Sequence, residues 1–95
     1  MLMDFKIRYT KNNALKLSGE LTKINLRLFE LIAYQALSNH KDLTIDISNV
    51  TIIDRVGIES ILELYKHSLK KKKAILFYGY GARDIMEEIR YKNIA

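Results

Sequence analysis

The stretch TIIDRVGIESI, residues 51–61, sets a carboxylate, a guanidinium and a glycine within four positions: Asp54, Arg55, Val56 and Gly57. A carboxylate between a β-branched run and a helical pattern has three ordinary uses: acid–base catalysis, handling of a phosphate, or helix capping. Catalysis is poorly served. The chain has two histidines, His40 and His67. One precedes a strand and the other closes a helix, so both map to the edge opposite the junction. A Ser-His-Asp arrangement needs an imidazole near Ser48 or Ser60, and none is available. Asp54, Glu20 and Asp84 are the acids that loops could bring together, but capping and loop hydrogen bonds account for them. There is no cysteine, and no metal-ligand spacing. The expectation is a protein without catalytic activity, metal or cofactor.

A second motif, GYGARD, places Gly79, Gly81 and Arg83 at a strand-to-helix turn. Two glycines, a helix N-terminus and an arginine are the materials of an anion site. The Walker lysine and the dinucleotide spacing are missing, and a tight turn explains the glycines. A nucleotide- or phosphate-binding protein using this loop and Arg55 is therefore kept only as an alternative.

These residues must be positioned by regular elements. FKIRY, residues 5–9, alternates Phe5, Ile7 and Tyr9 with Lys6 and Arg8, the period of a strand with one wet face. KNN at 11–13 supplies a turn, and ALKLSG alternates again, giving a hairpin over 5–9 and 14–18. A helix is expected from about Lys23 to Ser38 with Thr22 as N-cap. It shows two stripes: Ile24, Leu28, Leu31 and Ile32, then Leu26, Phe29, Ala33 and Leu37. Such a helix must bury more than one face or meet a partner outside the chain.

LTIDIS, residues 43–48, is a further alternating strand. A helix from Arg55 to Lys70 carries Ile58, Ile61, Leu62, Tyr65 and Leu69, with Ser60 expected at its surface. AILFY, 74–78, reads as a short buried strand, and Arg83 to about Tyr91 as a last helix with Ala82, Ile85, Met86 and Ile89 inward. The order β-β-α-β-α-β-α implies an α/β fold: an N-terminal hairpin leading into a mostly parallel four-stranded sheet. Clean alternation in the strands predicts helices mainly on one face. The loops 18–22, 48–57 and 79–83 then gather at the carboxyl ends of the parallel strands, where ligands and partners meet such sheets.

The chain has 95 residues, 48% hydrophobic and 28% charged, which suits one domain over 1–95. The start, MLMDFKIRYT, lacks an apolar signal-peptide region, and no apolar run approaches a membrane span. A cytoplasmic protein is expected. The net charge of +5 draws heavily on Lys70 to Lys73. A lysine run closing a helix complements the helix dipole, and KHSLKKKK has no aromatic to stack on bases, so no nucleic-acid partner is expected.

LTIDISNVTIIDRVGIESILELYK resembles the signature of the STAS family, the sulfate-transporter and anti-sigma-factor-antagonist domain. The family pattern is a strand ending in Asp-Leu-Ser, an apolar stretch, then Asp-Ser-Ser-Gly or Asp-Ser-Thr-Gly opening a helix. Asp46, Ile47, Ser48, Asn49, Val50, Thr51, Ile52, Ile53, Asp54, Gly57 and Ile58 occupy matching places. LKLSGELT, 15–22, is similar to the family's hairpin exit.

The resemblance implies a bacterial module that docks to other proteins, as in partner switching for transcription regulation. In anti-sigma antagonists a partner kinase phosphorylates the hydroxyl residue before the glycine. Here that place holds Val56, which has no acceptor oxygen, and Arg55 fills the preceding serine place. The usual phospho-switch is thus lost, and Arg55 would attract an acidic partner rather than mimic a phosphate. Docking is assigned to Asp54, Arg55, Val56, Gly57 and Ile58 with Ser48 and Asn49. Gly57 is expected to let a partner backbone approach. The partner is either a kinase-like anti-sigma factor or the ATPase of an ABC lipid-transport complex, and the fold admits a homodimer. Longer relatives continue past the position of YKNIA with another strand and helix, so a sheet edge is expected to be left for something to cover.

Overall fold

The computed structural model describes residues 5–92. The first four residues and the last three lie outside the described residues, as do the expectations that rest on them.

Alternation builds the hairpin as expected. β1 (Phe5–Thr10) and β2 (Ala14–Leu21) pair antiparallel, with Ile7 opposite Leu17 and Tyr9 opposite Leu15. Asn13 closes the turn at φ 58, a left-handed conformation that asparagine tolerates. Then follow α1 (Leu26–Asn39), β3 (Asp42–Ile53), α2 (Arg55–Lys70), β4 (Ala74–Tyr78) and α3 (Ala82–Tyr91). The sheet order is β1-β2-β3-β4, parallel from β2 onward. Sequential parallel strands joined by right-handed crossovers put every connecting helix on one side.

The core lies on that side. Leu15, Leu17, Leu43, Ile45, Ile75 and Phe77 point into it from the sheet. They meet Phe29, Ala33 and Leu37 of α1, Ile61 and Leu64 of α2, and Ile85 and Ile89 of α3. Among the described residues, no helix lies on the opposite face. Its rows run across strands, such as Arg8, Lys16, Asp46 and Tyr78.

Several expectations need correction. The strands ending at 18 and 48 in the sequence reading run on to Leu21 and Ile53. The two segments expected as loops, 18–22 and 48–57, hold each other in a ladder up to Leu21↔Ile53. Their alternation is hidden because β3 carries two more residues than β2 over the paired stretch, at register shifts between Lys16 and Ser18 and between Gly19 and Glu20. Such bulges break the two-residue period. β4 is not buried throughout: Leu76 and Tyr78 are exposed on the helix-free face.

Thr22 does not cap α1. The chain makes a turn first, with the Thr22 N–H donating to Asn25 Oδ1 (2.9 Å) and the Asn25 N–H to the Thr22 carbonyl (3.1 Å). The helix then begins at Leu26. Its second stripe enters the core, and Ile32 of the first packs against it half-buried, whereas Leu28 and Leu31 are exposed and Ile24 lies exposed in the turn before the helix. In α2, Leu69 is exposed and Leu64 is buried instead. Ser60 is buried too, its hydroxyl donating to Glu30 Oε2 of α1 at 2.9 Å.

The lysine run also acts across elements. Lys73 Nζ donates to the carbonyls of Leu37 and Ser38 at 2.6 and 3.0 Å. It thereby satisfies the open C-terminal end of α1, whose own last turn has no basic residue.

Candidate functional site

The ladder between β2 and β3 delivers Asp54 to the point where α2 must begin. Its backbone is extended (φ −86, ψ 177), the usual N-cap conformation. Oδ1 accepts the Gly57 N–H at 2.8 Å, so Asp54 caps α2 as the sequence predicts. Oδ2 accepts the Lys23 N–H at 3.0 Å, which fixes the turn before α1 to the same carboxylate. The Asp54 N–H donates to the Leu21 carbonyl at 3.3 Å. Hydrogen bonds from Gly57 first, and Lys23 second, hold the Asp54 carboxyl below its ordinary value. An ionised carboxylate also suits the positive end of the helix.

Gly57 departs from its expected part. It is buried, and a Cβ there would lie 2.5 Å from the Leu21 carbonyl oxygen and 3.0 Å from Ile53 Cγ2. The close approach is made by the chain's own strand ends, which leaves that space to no partner. Arg55 and Val56 are exposed at the first turn of α2. Arg55 Nη1 lies 3.6 Å from Glu88 Oε1 on α3, so the guanidinium is steered toward the last helix. Ile58 is half-buried and lines a cleft of about 260 Å³ with Ile47, Ile53, Tyr80 and Ile85.

Ser48 and Asn49 do not face this cleft. Both are exposed on the β3 bulge. The Ser48 N–H donates to Asp46 Oδ1 at 2.9 Å. Burial pushes the Asp46 carboxyl up, but hydrogen bonds from Ser48 and the charge of Lys16 outweigh it and leave the group below its ordinary value. Gly79 packs on Ser48, and Gly81 opens α3 at φ 93 without a side-chain cap. Arg83 is paired within its own helix, Nε to Glu87 Oε2 at 3.9 Å, with Asp84 in the same first turn. That turn therefore presents an acid as well as a base to any anion.

Sequence reasoning passed over two exposed apolar residues here. Ile52 is 50% exposed and Tyr80 is 94% exposed, and both line the cleft that Ile58 of α2 also lines. His40 and His67 lie elsewhere, bonded to the Tyr9 hydroxyl and packed edge-on to Tyr34 at 5.2 Å. Among the described residues, no group of three or more His, Cys, Asp or Glu is placed to hold a metal. No helix among them is long and apolar enough to cross a membrane.

Residues 6–86 match the family model described as the STAS domain. Among solved structures, the chain is similar to the crystal structure of an anti-sigma factor antagonist from Mycobacterium paratuberculosis. The TM-score is 0.68 at 16% identity, covering 95% of this chain and 80% of that one. At that identity the likeness is one of fold. No curated protein matches the chain.

Proposed function

Since this chain belongs to the STAS domain family, we propose that it is a non-enzymatic docking module that binds a protein partner through the start of α2. The observation that carries this reading is the Asp54 junction. One carboxylate anchors both the Gly57 and Lys23 amides, and the fixed turn presents Arg55 and Val56 to solvent. Ile52 and Tyr80 add exposed apolar surface on the cleft lined by Ile58 of the same helix. A rigid polar anchor beside exposed apolar side chains suits recognition, because little order is lost on binding.

The Asp-Ser-Ser-Gly place reads Asp54, Arg55, Val56, Gly57. With valine before the glycine, binding is not switched by phosphate at that position. Arg55 gives a planar donor fork for a carboxylate or carbonyl of the partner. The partner must compete with Glu88, which already holds the guanidinium.

The test is affinity capture from the native cell, followed by calorimetry with the recovered protein. Mass spectrometry names the partner: a kinase-like anti-sigma factor or a transporter ATPase. Arg55→Glu is expected to weaken binding by about 1–3 kcal/mol, as for a central contact. Unchanged affinity would remove this surface from the interface and direct attention to the exposed stripe of α1.

A further inference from the structure

The helix-free face of the sheet holds a second recognition feature, away from α2. A groove of about 600 Å³ is lined there by Lys6, Arg8, Lys16, Ser18 and Asn49. Register explains their meeting. Lys6 stands opposite Ser18, and Arg8 directly opposite Lys16. The bulge in β3 then brings Asn49, rather than its neighbour Ser48, opposite Ser18. Bulges commonly re-aim a side chain in this way.

The charges are arranged at a cost. Like charges directly opposite on adjacent strands repel. Among the described residues, none of the three cations is in a salt bridge; those present join Arg55 to Glu88 and Arg83 to Glu87. The one acid facing them across the ladder is Asp46, opposite Lys16, and one of its oxygens is engaged by the Ser48 N–H. Lys6 and Arg8 have no carboxylate across from them.

We propose that the groove bounded by Lys6, Arg8 and Lys16 is a docking site for an acidic segment of a partner protein, with Ser18 and Asn49 supplying hydrogen bonds at its floor. Charge complementarity selects the occupant: carboxylates relieve the Arg8–Lys16 repulsion and gain charge-assisted hydrogen bonds. Shape selects a peptide over a bilayer. A planar surface does not reach the floor of a concave groove, and the groove lining offers no exposed apolar anchor besides Tyr9 on its edge. The site is separate from the surface at Arg55, and neither reading depends on the other.

The test uses fluorescein-labelled octaglutamate and fluorescence anisotropy at low salt. The wild-type chain is expected to bind it, and the triple variant Lys6→Gln, Arg8→Gln, Lys16→Gln to bind at least about tenfold more weakly. A control removing three charges elsewhere, Lys70→Gln, Lys71→Gln, Lys72→Gln, should keep wild-type affinity. The charge-retaining pair Arg8→Lys, Lys16→Arg should also bind normally, which separates loss of charge from loss of fold. Absence of wild-type binding, or equal loss in the control or the charge-retaining variant, overturns the proposal. So does binding to phosphatidylglycerol vesicles with none to the peptide. As an independent readout of the repulsion, the single variant Arg8→Gln, which leaves Lys16 opposite Asp46, should melt no lower than the wild type, because a repulsive pair has been removed.

Discussion

Gly79 lies against Ser48 so closely that a Cβ built on the glycine would stand 2.7 Å from the serine nitrogen and 2.9 Å from its Cα. The contact locks the end of β4 to the bulged part of β3, and it sets where α3 starts. Gly79 also has φ +109. Both facts decide the sign of a substitution. Where the backbone suits it, Gly→Ala usually stabilises through the unfolded chain. Here Gly79→Ala should cost roughly 1–3 kcal/mol from backbone conformation alone, with the contact to backbone atoms adding to it. Urea denaturation of the variant measures this, and a neutral or stabilising outcome would refute the packing described.

Asp54 gives a pH dependence of known sign. Its carboxyl is lowered by the Gly57 and Lys23 hydrogen bonds. The ionised form is therefore favoured by folding. The associated stability is fully present above the unfolded value, about 3.9, and is lost as pH falls through the lowered folded value. Asp54→Asn keeps an acceptor for the cap but cannot titrate. Thermal melts between neutral and acid pH should show the wild type losing more stability than the variant. Parallel loss in both would assign the acid sensitivity to other groups.

The parts of this fold legible in the sequence were those where one physical rule acted alone. Phe5 and Ile7 alternate with Lys6 and Arg8 because β1 has one covered face, and Asp54 caps because an aspartate sits before a helical run. Rules in competition were not legible. The ladder from Ser18 to Leu21 and from Ser48 to Ile53 contains bulges, so no two-residue period marks it. Thr22 has the chemistry of a cap, yet Asn25 turns back to bond it and delays the helix. Ser60 looks like a surface residue until α1 brings Glu30 beside it. At the site, Gly57 could be read as open space because its neighbour, the Leu21 carbonyl, is 36 positions away in the chain.

Arg55 and Glu88 form an ion pair across α2 and α3, with side chains 63% and 35% exposed. A pair this wet contributes little: a double-mutant cycle with Arg55→Gln and Glu88→Gln should give a coupling of about 0–1 kcal/mol. Its effect on docking is larger in consequence. Glu88→Gln frees the guanidinium, so the captured partner should bind that variant more tightly while the melting temperature hardly moves. Weaker binding by Glu88→Gln would mean that Glu88 itself touches the partner.

The two stripes of α1 make the final contrast. Phe29 is fully buried among core side chains, whereas Leu31 is 61% exposed on α1 and Ile24, left in the turn before the helix, is 73% exposed. Sequence periodicity rates the stripes alike, since both are apolar at helical spacing. The structure separates them by what they meet. Phe29→Ala should cost about 3–5 kcal/mol through lost burial and the cavity left behind. Ile24→Ser and Leu31→Ser should each change stability by about 0.5 kcal/mol or less. Equilibrium denaturation of the three variants is the measurement. A large loss at Leu31 would show that its stripe is covered in solution, and sedimentation of the wild type would then tell whether a second copy of the chain covers it.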